Sequence, residues 1–202
     1  MANKITLTAN DGSIVEFYDE IKAQGGVKDV YFSPDKTYVV AFYRKPINAN
    51  DRERITNIVG IYRQRIFDTP EGNYWKNLFA WPTKMVEWNG KTGIIMPFYD
   101  TKFFFSSGPF KGKEKEGKWF ASAKLRNKFL PADQKGNWLT NLHMCIKIAR
   151  AVRRLHAAGL AHSDLSYKNI LVDPITGSAC IIDDDSLSLI HISEPTRLRC
   201  IS

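Results

Sequence analysis

Cysteine is scarce in this sequence, and long hydrophobic runs are missing. Only Cys145, Cys180 and Cys200 occur among the 202 residues, without C-x-x-C spacing, so the sequence predicts neither a disulfide framework nor a zinc knuckle. No apolar run approaches the roughly 20 residues that cross a bilayer, and the first ten residues lack the basic-then-apolar pattern of a signal peptide. We therefore expect a cytoplasmic protein without a membrane partner.

Acidic residues are outnumbered, with 21 Asp and Glu against 29 Lys and Arg and a formal net charge of +8. Such a surplus is compatible with binding to nucleic acid, anionic lipid or a polyphosphate such as ATP. The sequence contains no recognisable basic and aromatic nucleic-acid-binding motif. We therefore predict no nucleic-acid partner. A hydrophobic content of 44% with 25% charged residues is typical of a folded globular chain.

Strand and turn signals dominate the first half of the chain. Apolar and β-branched residues alternate on both sides of short turn-forming stretches, which is typical of antiparallel hairpins. Between residues 50 and 66, apolar side chains recur at three- and four-residue steps and predict one helix. Together these elements predict a small α+β lobe. Its three hairpins are expected at residues 5–17, 27–43 and 81–96.

The second half of the chain begins with an aperiodic stretch, which we interpret as a connector, at residues 101–136. Beyond it, apolar residues at helical spacing from 139 to 155 predict a long amphipathic helix. Gly159 follows this helix and is placed to end it in the left-handed conformation. This pattern predicts a second, helical lobe.

Polar residues then bracket a short apolar hairpin at residues 170–182. Because a hairpin brings its two ends together, we expect Asn169 and Asp183 to lie on the same side, with Asp164 a short loop away. Magnesium prefers oxygen ligands, usually one or two side chains plus phosphate oxygens and waters, and Asn169 and Asp183 suit that need. Asp164 would remain free to orient and deprotonate an attacking hydroxyl.

The order of these residues resembles the protein-kinase superfamily, whose catalytic loop H-x-D-x-x-x-x-N is followed by a hairpin and a metal-binding aspartate. His162, Asp164 and Asn169 fit that spacing. The resemblance implies that Asp164 is the catalytic base and that Asn169 and Asp183 bind magnesium. It also implies that ATP is the phosphoryl donor and that Lys168 brings a cation to its γ-phosphate.

The resemblance extends more loosely through residues 24–186. Gly25 and Gly26 look like a shortened phosphate-covering loop, and Ala41 would lie over the adenine in the third strand of the lobe. Met96 would enter the hinge, in a Met-Pro arrangement similar to that of bacterial serine/threonine-kinase-like proteins. The implied fold is therefore α+β, with two lobes as in protein kinases.

The sequence departs from this family where a third-strand lysine should pair with a helix glutamate. Ala41 is followed by Phe42, and no lysine occupies the expected position. Arg44 or Lys45 would replace it after a register shift, with Glu53 as the acidic partner. The alternative is that each of these side chains lies on the surface.

The end of the sequence, from residue 187 to 197, resembles the translation of a sequencing adapter. We therefore predict a complete N-lobe at 1–97, a truncated C-lobe at 98–186 and a non-native tail at 187–202. Since no activation segment or substrate platform follows Asp185, we expect this polypeptide alone to be inactive.

Three functions are compatible with these residues. The first is phosphoryl transfer from ATP and magnesium to a protein hydroxyl, serine or threonine, in the full-length parent. The second is a small-molecule kinase of the aminoglycoside and choline kinase type, which shares the catalytic loop. The third is a pseudokinase that binds a nucleotide or a protein partner without catalysis, which the missing lysine and the thin glycine loop favour.

Overall fold

The protein is described by a computed structural model that covers residues 2–189. The chain opens with an antiparallel hairpin of strands β1 (Lys4–Thr8) and β2 (Ile14–Tyr18). Gly12 adopts a φ of 81° in its turn, a conformation that glycine reaches without strain. Phe17, on β2, is fully buried against the aromatic residues of the neighbouring sheet.

A five-stranded antiparallel sheet with the order β3-β4-β5-β7-β6 forms the centre of the first lobe. Asn89 and Gly90 turn the last hairpin with φ values of 50° and 73°, as a tight two-residue turn requires. The three hairpins predicted from the sequence are confirmed. The strands are β3 (Ala23–Gln24), β4 (Lys28–Phe32), β5 (Tyr38–Tyr43), β6 (Lys84–Trp88) and β7 (Lys91–Pro97).

The predicted first helix is interrupted by a wider turn. Helix α1 (Ala49–Asn57) passes into a π-helical turn at Ile58–Tyr62 and continues as α2 (Arg63–Phe67). The indole N–H of Trp81 donates to the Ile58 carbonyl at 2.9 Å, which holds the π-helical turn against the segment that precedes β6. A further short helix, α3 (Gly72–Lys76), was not predicted.

The second lobe is built on one long helix. Two short helices, α4 (Lys118–Ala121) and α5 (Ala123–Phe129), lie within the stretch predicted as an irregular connector. Helix α6 (Trp138–Ala157) follows, as predicted. Asn137 and Thr140 form a reciprocal capping box at its start, and Gly159 adopts a φ of 78° after its end.

Four short strands complete the described chain. Strands β9 (Ile170–Asp173) and β10 (Ser178–Ile181) form the predicted apolar hairpin. Strand β8 (Leu160–His162) pairs with β11 (Leu187–Leu189) on the other side of the loop. A shared core of apolar side chains from α2, α6, β8 and β10 joins these elements. Within residues 2–189, no helix combines the length and apolar character needed to cross a bilayer.

Strand β11 falls within the part of the chain that we predicted to be non-native. Its pairing with β8 uses main-chain groups, and the side chain of Leu187 is buried in the shared core. Neither feature reveals the origin of the segment, because strand pairing tolerates many sequences. The boundary at Ser186 therefore stays a prediction, and the rest of the predicted tail, residues 190–202, lies outside the described residues.

Gly136 is expected to be sensitive to substitution. It has a φ of 63°, and an added Cβ would overlap the Pro174 carbonyl oxygen. Gly112 has a φ of 78° with no atom within 4 Å of the same position. Gly112→Ala should therefore cost only the left-handed backbone penalty, about 1–2 kcal/mol. Gly136→Ala should cost about 1–3 kcal/mol more. Chemical denaturation measures both, and equal losses would contradict the role of the Pro174 contact.

Candidate active site

The loop between β8 and β9 brings Asp164 and Asn169 into direct contact. The Asn169 amide nitrogen donates to the Asp164 main-chain oxygen at 2.8 Å and to its carboxylate Oδ2 at 3.0 Å. Ser166 tightens the loop, because its N–H donates to the Asp164 carbonyl and its own carbonyl accepts from the Asn169 N–H. Asp164 remains exposed to solvent, so its second carboxylate oxygen can meet a ligand.

The hairpin β9–β10 joins this loop to Asp183. The Ile182 N–H donates to the Asn169 carbonyl at 3.0 Å, which places Asp183 one residue beyond that bond. Asp183 adopts a left-handed φ of 63°, an uncommon conformation outside glycine. Its side chain is 39% exposed. The two ends of the hairpin therefore meet as expected. Asn169 contacts Asp164 directly, and Asp183 follows the residue whose N–H bonds to Asn169.

His162 connects the loop to the strand that carries Asp183. Its Nδ1 accepts a hydrogen bond from the Asp164 N–H at 3.3 Å, and its Nε2 lies 3.1 Å from the Ile182 carbonyl oxygen. Since Nδ1 acts as an acceptor, the proton belongs on Nε2, which then donates to Ile182. His162, the first residue of the H-x-D-x-x-x-x-N pattern, therefore holds the loop against the strand that leads to Asp183. The spacing in the sequence does not show this role.

Lys28 was not predicted as a site residue. Its ammonium on β4 lies 2.7 Å from Asp183 Oδ1 and 2.6 Å from Asp185 Oδ1, and its side chain is only 10% exposed. The Tyr43 hydroxyl donates to the other oxygen of Asp185, and Arg54 of α1 donates to the Asp185 main-chain carbonyl. The network therefore links both lobes at the candidate site.

Charge explains how these groups coexist. Burial alone would lower the pKa of the Lys28 ammonium, but Asp185 and Asp183 together hold it above its usual value. Burial opposes ionisation of Asp185, yet Lys28 and the Tyr43 hydroxyl keep the pKa of this carboxyl below its usual value. Burial, followed by repulsion from Asp185, raises the pKa of the Tyr43 phenol. The pair Lys28 and Asp185 is therefore ionised.

The three consecutive aspartates occupy three different environments. Asp183 is partly exposed, and Asp185 forms the buried pair with Lys28. Asp184 is fully buried, and neither of its carboxylate oxygens has a hydrogen-bond partner within residues 2–189. Burial and the two flanking carboxylates raise the pKa of Asp184 well above its usual value, which favours the neutral acid. Because it is fully buried, Asp184 cannot contact a ligand.

A cavity of about 920 Å³ lies between the sheet and the connector, a size suited to a nucleotide. Of the predicted nucleotide contacts, Gly25 and Met96 line it. Ala41 is fully buried against α1, and Val39, two residues earlier on the same face of β5, lines the cavity instead. Gly26 lies beside the cavity in the exposed loop after β3.

The remaining predicted residues form no ion pair with Asp164, Asp183 or Asp185 in the described part of the chain. The Arg44 guanidinium donates to the main-chain carbonyls of Gly25 and Gly26, so it braces the glycine loop. Glu53 and Lys168 are exposed, and neither forms an ion pair within the described part of the chain. The structure therefore does not bring Arg44 and Glu53 together as an ion pair.

The donor set at the site suits magnesium held jointly with a ligand. In the described residues, no cluster of three or more His, Cys, Asp or Glu side chains could hold a metal. The Asn169 amide group donates two hydrogen bonds to Asp164. Its side-chain oxygen is then available to a cation. One carboxylate and one amide oxygen, completed by phosphate oxygens and waters, match the preference of Mg²⁺.

The sheet, the long helix and the site between them define the class of protein. The chain superimposes on a solved structure of vaccinia related kinase 3 with a TM-score of 0.54 and 12% sequence identity. The match covers 91% of this chain and 51% of that chain, so the chain spans about half the length of the kinase structure. The chain therefore has the protein-kinase-like fold, and the predicted two-lobed α+β class is confirmed.

A narrower similarity covers the part of the chain that carries the predicted catalytic loop. Residues 132–191 match the model of the lipopolysaccharide kinase (Kdo/WaaP) family. This stretch contains α6, the loop with Asp164 and Asn169, and the hairpin that leads to Asp183. A sequence comparison with curated proteins gave no match. Both similarities are to kinase-like phosphotransferases.

Proposed function

We propose that the protein binds ATP with Mg²⁺ and belongs to an enzyme that transfers the γ-phosphoryl group to a hydroxyl. The observation that carries this proposal is the contact between Asp164 and Asn169, together with the main-chain bond that holds Asn169 beside Asp183. A loop carboxylate and two oxygen ligands are the parts that phosphoryl transfer needs. Lys28 connects them to the nucleotide-sized cavity, because it pairs with Asp183 and lies on the strand whose Val30 and Phe32 line that cavity. A cytoplasmic location is part of this proposal, and the low cysteine content is compatible with it.

Each of the three residues has a distinct role in this mechanism. Asp164 orients the acceptor hydroxyl and takes its proton, since its carboxylate is exposed and held by the Asn169 amide. Asn169 and Asp183 would hold Mg²⁺, which neutralises charge on the phosphate oxygens when bound. Lys168, exposed in the same loop, would reach the γ-phosphate. Gly25, Gly26 and Met96 would contact the nucleotide.

The proposed acceptor is a serine or threonine hydroxyl of a protein. The Met96-Pro97 pair at the predicted hinge, which resembles that of bacterial serine/threonine-kinase-like proteins, supports this choice. A sugar hydroxyl of a lipopolysaccharide is the second candidate, because the catalytic segment matches a family with that name. The chemistry at Asp164 is the same for both acceptors, so the distinction depends on the surface that presents the hydroxyl.

ATP binding tests the proposal directly. We expect the chain to bind ATP in the presence of Mg²⁺, measured by calorimetry, and to lose affinity about tenfold or more when Asp183→Ala removes the metal-binding carboxylate. Asp133→Ala, in an exposed turn of the connector, is the matched control. ATP binding that is insensitive to both EDTA and Asp183→Ala would refute the proposed metal site.

The acceptor is tested separately with radiolabelled ATP. Label transferred to serine or threonine of a protein mixture would support the first acceptor, and label transferred to lipopolysaccharide would support the second. Magnesium-dependent ATP binding by the full-length parent without transfer to either acceptor would favour a pseudokinase.

A further inference from the structure

We propose that Lys28 is the residue that binds the nucleotide phosphates, in place of the missing third-strand lysine, and that Asp185 is its fixed acidic partner. This inference rests on the proposed function. It assigns the lysine to the neighbouring strand β4 and the acid to the segment after Asp183, so the pair does not depend on a glutamate from helix α1.

The position of Lys28 follows from the pairing of β4 with β5. Lys28 lies opposite Tyr43, and Val30 lies opposite Ala41. Side chains two residues apart share one face of a strand, and Val30 and Phe32 on that face line the large cavity. Lys28 therefore continues the row of cavity-lining residues toward Asp183, with which its ammonium forms an ion pair.

The two carboxylates beside Lys28 differ in how firmly they are held. The Asp185 side chain is 7% exposed and also accepts the Tyr43 hydroxyl, whereas Asp183 is 39% exposed. A buried ammonium needs a permanent counter-charge, and Asp185 supplies it. Asp183 is then the exchangeable partner, which can leave Lys28 for a metal ion while Lys28 turns to the phosphates.

The other candidates for this role are occupied elsewhere. Arg44 donates to the carbonyls of the glycine loop, and Ala41 carries no charge. Arg54 contacts the Asp185 main chain and pairs with Asp51 on its own helix. Between residues 2 and 189, Lys28 alone among lysines and arginines lies within ion-pair distance of Asp183.

Two binding measurements with opposite expected signs test this assignment. Lys28→Met should weaken ATP binding in Mg²⁺ about tenfold or more, because a charge-assisted contact to the phosphates is lost. The same change should strengthen binding of Mg²⁺ alone, since the ammonium no longer competes for Asp183. If Lys28 had a purely structural role, Lys28→Met would weaken the binding of ATP and of Mg²⁺ alike. Lys84→Met, which removes another lysine paired with an aspartate in the same sheet, is the control.

A second variant controls for loss of folding in Lys28→Met. Lys28→Met leaves Asp185 buried without its partner, so the double variant Lys28→Met/Asp185→Asn removes both charges and should stay folded, as checked by circular dichroism. It should show the same loss of ATP affinity. If the unaltered chain binds ATP and the double variant binds it equally well, the assignment of Lys28 is overturned and the proposed function stands. If the unaltered chain shows no magnesium-dependent ATP binding, both are overturned.

Discussion

Replacing Asp164 with asparagine is expected to lower the rate of phosphoryl transfer by about 10²–10⁴-fold, the usual contribution of a general base. Asparagine keeps the shape of the side chain and an oxygen that can accept the Asn169 amide, so the loop should persist. It cannot take a proton from the acceptor hydroxyl. ATP affinity should change little, because Asp164 is not among the proposed metal ligands. Single-turnover kinetics with radiolabelled ATP, in the longest form of the protein that shows transfer, measures the effect.

The control for this prediction is Asp133→Asn, which makes the same chemical change at an exposed position of the connector. Its rate should equal that of the unaltered protein. A loss of ATP affinity that matches the loss of rate in Asp164→Asn would mean that Asp164 acts in binding. An unchanged rate would remove Asp164 from the chemistry and favour one of the other exposed loop residues.

The geometry of the loop that carries Asp164 and Asn169 could be predicted from the sequence because its contacts are local. Asp164 and Asn169 are five residues apart, and the hairpin that returns the chain to Asp183 has a recognisable apolar pattern. A hairpin of known length determines which of its ends meet. The same reasoning holds for α6, whose apolar spacing and capping residues define it without reference to other elements.

Lys28 could not be predicted in this way, because it is 155 residues from Asp183 in sequence. Its role depends on the packing of the first lobe against the second and on the register of β4 with β5. The sequence shows one lysine among many at the start of a strand. The sequence also could not show which residue of β5 lines the cavity. Val39 and Ala41 face the same side of the strand, and only tertiary packing places Val39 at the cavity and Ala41 against helix α1.

The connector illustrates a different limit. Its lysines and glycines hide any period, yet α4 and α5 form there. Aromatic contacts between Phe105, Phe110 and Trp119 hold the segment together, with ring centroids 4.3–6.1 Å apart. Such clusters combine residues from irregular stretches, so periodicity does not detect them.

A buried ion pair in the second lobe provides the largest expected effect on stability. Lys115 and Asp173 lie 3.3 Å apart with side chains only 6% and 4% exposed, and the Lys115 ammonium also donates to the Lys102 carbonyl. Lys115→Met should cost about 3–5 kcal/mol, because it leaves the Asp173 charge buried without its cationic partner. The double variant Lys115→Met/Asp173→Asn should recover part of this loss. Urea unfolding measures both, with the exposed Lys111→Met as control.

The acid dependence of stability should report on the same pair. Burial works against ionisation of Asp173, but the Thr176 hydroxyl and the Lys115 ammonium keep the pKa of this carboxyl below its usual value. A depressed pKa in the folded state contributes stability above about pH 4, and this contribution is lost as the pH falls through the folded-state pKa. Asp173→Asn should therefore flatten the fall in unfolding free energy below about pH 4. An unchanged acid profile in Asp173→Asn would show that the ion pair does not stabilise the lobe, and the destabilisation by Lys115→Met would then reflect lost packing.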